Sequence, residues 1–193
     1  MEIKIKNIIT ESIRLRQELL DDPIITDQLV RAAEKLTATF ENNGQFFAAG
    51  NGGSAADAQH IVAELVGRFN YDRPPLKAEA LSTNTSSVTS IGNDYGFEYI
   101  FERQIWANAR SGDYFLAIST SGNSKNILLA AERAREIGVF VLGLTGKTGG
   151  LLSEYCDIDI RIPSDNTARI QECHITIGHI ICELVESHLF PKR

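Results

Sequence analysis

Short apolar runs of strand length recur along this chain, and most end in a glycine- or serine-rich turn that opens a helical pattern. Residues 45–49 run into Gly50-Asn51-Gly52-Gly53-Ser54, and helical spacing follows over 55–66. Residues 78–81 form a weaker run. Residues 113–118 are closed by Ser119-Thr120-Ser121-Gly122-Asn123-Ser124, with a helical pattern through 137. Residues 139–145 precede Gly146-Lys147-Thr148-Gly149-Gly150, and 157–162 precede Pro163-Ser164 and a long helical pattern over 168–189. Strands alternating with helices predict an α/β fold, a five-stranded parallel sheet flanked by helices. Its connections are right-handed, and its ligands bind beyond the C-terminal strand ends, where the glycine and serine turns fall. Residues 1–43 read as added N-terminal helices, broken at Pro23 and stopped at Asn42-Asn43-Gly44. With 193 residues the chain fits a single domain, helices over 1–43 and an α/β core over 44–193.

Charge narrows the partners. Lys plus Arg total 19 against 25 Asp plus Glu, a net charge of −6. That balance argues against coating nucleic acid directly and against an anionic membrane surface. No apolar run reaches the ~18 residues of a membrane span. The first residues do not read as a secretory signal. Cys156, Cys173 and Cys182 lack metal-type spacing and read as reduced thiols of a cytoplasmic protein. A small anionic ligand stays open, because backbone N–H groups bind phosphate inside an acidic chain.

The 119–124 turn is the best candidate for such a ligand. Ser119, Thr120, Ser121 and Ser124 offer four hydroxyls beside a run of backbone donors at a helix start. Gly122 permits a tight turn and Ser124 is placed to cap the helix. Asn51, Gly52, Gly53 and Ser54 make a second loop at the same sheet edge. Gly146-Lys147-Thr148 lacks the further glycine of a P-loop, since position 141 is Val. No dinucleotide fingerprint follows the first run.

His60 and Glu64 are four residues apart, so they share one helix face. Such a pair is commonplace on a solvated face. Among Ile61, Val62, Leu65 and Val66 it could instead look into a crevice. Gln171 and His179, eight apart on the last helix, share a broad face, whereas His174 points elsewhere as a solvated or core-satisfied residue. His188 reads as a cation at that helix's C-terminal end. Together His60, Glu64, Gln171 and His179 offer a zinc-type donor set, although spacing alone does not bring the two helices together. Arg68 lies one turn beyond Glu64, and Asn93-Asp94 reads as a turn before Gly96.

These motifs, with Asp57-Ala58-Gln59-His60, Leu144-Thr145-Gly146 and Arg169-Ile170-Gln171-Glu172, resemble the phosphoheptose isomerases of the sugar-isomerase (SIS) group over nearly the whole chain. The resemblance implies a flavodoxin-like sandwich and a cytoplasmic homotetramer. It also implies conversion of sedoheptulose 7-phosphate to D-glycero-D-manno-heptose 7-phosphate for lipopolysaccharide or related glycans. By motif, Ser119, Thr120, Ser121 and Ser124 hold the phosphate, and Asn51, Gly52, Gly53, Asn93 and Asp94 contact the sugar. His60, Glu64, Gln171 and His179 match the zinc positions, Glu64 the general base and His179 the general acid. Ala168 departs from members that carry an acidic residue there, which bears on substrate preference. Ser54-Ala55-Ala56, Gln59-His60 and Leu189-Phe190-Pro191 also echo a SIS relative that associates with the replication initiator DnaA. That non-enzymatic reading does not need Glu64 and His179, and neither does a SIS-type sugar-phosphate sensor.

Overall fold

A computed structural model describes residues 1–192. Strands β1 (Phe46–Ala49), β2 (Ala78–Ala80), β3 (Tyr114–Ser119), β4 (Phe140–Gly146) and β5 (Ile158–Ile162) lie within a residue or so of the apolar runs. They form one all-parallel sheet in the order β2-β1-β3-β4-β5. The order reverses between β1 and β3, so the turns after these two strands flank the crevice where ligands of such sheets bind.

Alternate strand residues point to opposite faces. Phe46, Leu116 and Leu142 face one core, with Leu36, Ile61 and Ile177 from helices α2 (Pro23–Glu41), α3 (Gly53–Val66) and α7 (Thr167–Leu189). Phe47, Phe115 and Val141 face the other, with Ile105 and Ala130 from α5 (Glu102–Asn108) and α6 (Lys125–Glu136). This two-sided burial is why the central strands read as continuous apolar runs.

The N-terminal break falls where Pro23 predicts it. Helix α1 (Glu2–Asp21) ends there, and the Asp22 carboxylate caps α2 by accepting from the Ile24 amide at 2.8 Å. Only Leu15 of α1 is buried, while Ile3, Ile5, Ile9, Ile13 and Leu20 lie exposed. Helices α4 (Thr85–Asp94) and α5 are additions to the pattern of runs and turns. Helix α4 buries no residue and is rich in Ser and Thr, so apolar periodicity gives no signal; Asn84 caps it by accepting from the Ser87 amide. Asn93 and Asp94 therefore form the last turn of α4 rather than a separate turn. Among the described residues, no helix is long and apolar enough to cross a membrane.

Candidate active site

The turn after β3 is built around backbone and hydroxyl groups. Ser119 Oγ donates to Ser124 Oγ at 3.0 Å, and the Asn123 amide donates to Ser121 Oγ at 3.1 Å. Ser124 does occupy the N-cap position of α6, but its side chain bonds Ser119 rather than capping a helix amide. The first α6 amides thus keep no side-chain cap, and the helix dipole adds partial positive charge at the turn. The nearby lysines are already paired, Lys125 with Glu98 at 3.2 Å and Lys147 with Asp165 at 2.7 Å.

A second turn braces the first. Gly122 has φ +65°, and a Cβ there would overlap the Gly149 carbonyl; a Cβ on Gly150 would sit 2.6 Å from the Gly122 backbone. The Leu152 amide donates to the Gly122 carbonyl at 2.9 Å, and the Leu151 amide donates to Asn123 Oδ1 at 3.1 Å. The Gly146–Gly150 stretch, with its partial likeness to a P-loop, serves here as a buttress.

After β1, Gly52 takes φ +56° and opens α3. A Cβ on Gly53 would sit 2.6 Å from the Gln171 amide, whose Nε2 lies 3.5 Å from Ser54 Oγ. Asn51 and the buried Asn126 exchange reciprocal amide hydrogen bonds of 2.9 Å, tying the two turns together. The Asn51 side chain thus spends one N–H and one oxygen lone pair on Asn126, and its backbone carbonyl accepts from the Ser54 amide at 3.1 Å. Asn93 and Asp94 are exposed and bond each other at 2.8 Å, and no hydrogen bond joins them to either turn.

Helices α3 and α7 lie side by side on one face of the sheet. They approach closely because Gly178 lacks a side chain: a Cβ there would meet Ile61 at 2.5 Å. The residues next to this contact, His60 and His179, consequently converge. His60 Nε2 lies 3.0 Å from Glu64 Oε1 and 3.3 Å from His179 Nε2, and the rings meet edge-on at 4.9 Å. One donor atom from each of His60, Glu64 and His179 lies within 4.8 Å of the others. Two ring nitrogens and a carboxylate so close must share a proton or a cation, and three N/O donors with an open side suit zinc. Gln171 belongs to the same helix, but its amide turns to Ser54, two helical turns before His179.

Two further groups lie on the same two helices. Asp57, one turn before His60, keeps a buried Oδ2 without a partner. Burial raises its carboxyl above the ordinary value, and His60 opposes that shift. His174 is fully buried, in the core rather than solvated, but it is only half satisfied there, because its Nδ1 has no partner. Its Nε2 lies 3.1 Å from the Thr145 carbonyl; a carbonyl only accepts, so Nε2 carries the proton. Desolvation pushes this imidazole down to about 4.

The family profile of the SIS domain matches residues 11–146. The phosphoheptose isomerase of Aneurinibacillus thermoaerophilus is 50% identical over 189 residues, 98% of this chain and 96% of that protein. The phosphoheptose isomerase structure from Neisseria gonorrhoeae superposes with a TM-score of 0.90 at 42% identity, covering 96% of this chain and 98% of the other. That from Francisella tularensis gives 0.91 at 38% identity, covering 95% and 97%.

Proposed function

The chain belongs to the phosphoheptose isomerases of the SIS domain family and is an aldose–ketose isomerase of sedoheptulose 7-phosphate, and from that premise we propose that Glu64 and His179 move its protons. The convergence of His60, Glu64 and His179 supports this assignment. The reaction carries a ketose to an aldose through an enediol. A base removes a proton from C1 and returns one to C2, while a second group moves a proton between the two oxygens. Glu64 is the base, and His179 is the group that protonates and deprotonates oxygen.

The phosphate is carried at the far end of the sugar from these carbons. It docks on the turn of Ser119, Thr120, Ser121 and Ser124, against the N-terminus of α6. The Gly52–Ser54 backbone and Gln171 line the path between that turn and the cluster, and Asn93 and Asp94 contact the sugar once it is bound. His60, Glu64 and His179 would hold a zinc ion, with Gln171 joining them once its amide leaves Ser54. Bound zinc would supply positive charge against the oxygen that becomes anionic. A donor atom bound to the metal cannot also carry a proton, so Glu64 and His179 would each move protons through an atom that the metal leaves free.

The active form is a cytoplasmic homotetramer, in which the exposed isoleucines of α1 find their cover. The whole chain, helices 1–43 with core 44–193, works as one unit. Identity of 50% to a named isomerase, together with the presence of both Glu64 and His179, favours this reading over an initiator-associating protein.

Purified protein supplied with zinc is expected to convert sedoheptulose 7-phosphate to the aldose, followed by NMR of the anomeric protons. No conversion, with binding to the replication initiator instead, would overturn the reading. Protein purified without chelator is expected to carry zinc on elemental analysis, and metal-free protein would remove the metal from it.

A further inference from the structure

We propose that Arg73 and Glu186 are positioning residues for the proton transfer, a buried ion pair that sets the end of α3 against α7 and so fixes Glu64 opposite His179. The proposal rests on the roles given above to Glu64 and His179. The side chains of Arg73 and Glu186 are 2% and 1% exposed, and Arg73 Nε meets Glu186 Oε1 at 3.2 Å. Buried pairs of this kind add little stability compared with apolar residues of the same size, and their best-attested use is to fix register.

The hydrogen bonds of the pair fall on the two helices of the cluster and on the hook joining α3 to β2. A helix leaves its last carbonyls without intrahelical partners. The Arg73 guanidinium donates to the carbonyls of Glu64 at 2.7 Å, Leu65 at 2.6 Å and Gly67 at 3.2 Å. It also donates to the Pro74 carbonyl at 3.1 Å. The backbone of Glu64 itself is therefore one of the groups held. Glu186, seven residues beyond His179 on α7, accepts from the Phe69 amide at 2.9 Å and the Asn70 amide at 2.7 Å. The Phe69 ring in turn lies 5.7 Å from the His179 ring, centroid to centroid. Tyr71 adds a hydroxyl bond to the Phe190 carbonyl at 2.8 Å, closing the hook over the end of α7. Burial alone would raise the Glu186 carboxyl, but the Asn70 and Phe69 amides and Arg73 outweigh it and hold it below the ordinary value. Both members are thus charged, and the clamp reaches the cluster from three sides: the Glu64 backbone, the Phe69 ring and α7.

The anion turn after β3 lies outside this network, which makes the effect separable. In Arg73→Lys a single ammonium cannot reach Glu186 and the helix carbonyls together. We expect kcat to fall at least ~10-fold with KM for sedoheptulose 7-phosphate within about twofold. The 15N–1H correlations of the His60 and His179 rings are expected to shift. Glu186→Gln, which keeps an acceptor for one amide, is expected to lose less of both. A Val141→Ala variant, in the core on the other face of the sheet, provides a control with a comparable loss of Tm. It should keep kcat and both ring signals. The proposal is overturned if Arg73→Lys loses no more turnover than that control, or if its ring signals stay in place. Should Glu64→Gln keep full turnover, the reading of Glu64 fails, while the ring signals still decide the clamp.

Discussion

The turn after β3 and the cluster between α3 and α7 solve different problems with different materials. The turn presents backbone amides and hydroxyls at a helix start, and its shape is set by backbone-to-backbone contact between Gly122 and Gly149–Gly150. The cluster is made of side chains from two helices, and its geometry depends on Gly178 against Ile61 and on the buried Arg73–Glu186 pair. The first is a local structure that any strand–turn–helix unit can offer to a phosphate. The second exists only because distant segments pack. Binding should accordingly be sensitive to added volume at glycines, and chemistry to removed charge.

The largest effect tests the chemical half. Glu64→Gln keeps the size and a hydrogen-bonding group but removes the base. We expect kcat to fall at least ~100-fold with KM little changed, measured by steady-state conversion of sedoheptulose 7-phosphate. An equal rise in KM would place Glu64 in binding and erase the contrast. The next effect tests the other half. Gly122→Ala needs φ +65° from an L-residue and drives a methyl into the Gly149 carbonyl. Misplacing binding groups by an ångström costs up to roughly 100-fold. We expect a loss of a few tens-fold in kcat/KM carried by KM, with kcat kept.

The same division separates what is legible in the amino-acid sequence from what is not. The sheet, its parallel sense and the position of the turns after β1 and β3 are legible because each depends on local apolar runs and the turns that close them. The serine turn is legible as a strand-to-helix turn for the same reason. Helix α4 is not, since it has no buried face to impose a period; this is why Asn93 and Asp94 read as a turn yet stand at a helix end. Ser124 does start α6, but its partner Ser119 competes with the cap. Long-range pairing leaves no trace in the sequence. The Asn51–Asn126 pair joins positions 75 apart and the Arg73–Glu186 pair joins positions 113 apart, and no spacing rule connects either. His60 and His179 can be named as metal-type residues by resemblance, whereas their 3.3 Å approach depends on the helix contact at Gly178.

His174 links the two halves, so acid should weaken both. It stands on α7 but hydrogen-bonds the end of β4, immediately before the Gly146–Gly150 buttress of the anion turn. Its buried ring titrates only near about 4, against an ordinary 6.5 for an exposed imidazole. As pH falls below 6.5 the unfolded chain takes up this proton first. The contribution is therefore intact above 6.5 and is lost progressively down to about 4. At pH 5 this amounts to ~2 kcal/mol, from a unit and a half of titration. Urea unfolding across this window should show the loss, and His174→Gln should flatten the slope. An unchanged slope in that variant would assign the acid sensitivity to the carboxylates.

The smallest effect is the most selective one for the anion turn. Ser124 Oγ accepts from Ser119, and Ser121 Oγ accepts from the Asn123 amide, so each hydroxyl still has its own hydrogen to donate outward. A hydrogen bond to a charged group contributes roughly 1.5–3 kcal/mol, and the exposure of Ser121 places this turn at the low end. Ser121→Ala and Ser124→Ala should then each raise KM for sedoheptulose 7-phosphate about 10-fold. Because neither oxygen touches the cluster, kcat should stay within about twofold, the mirror image of Glu64→Gln. Inorganic phosphate as a competitive inhibitor checks the assignment directly, since its inhibition constant should rise by the same factor as KM. A rise in KM without a change for phosphate would mean that these hydroxyls hold the sugar, and the anion would then rest on the α6 amides alone.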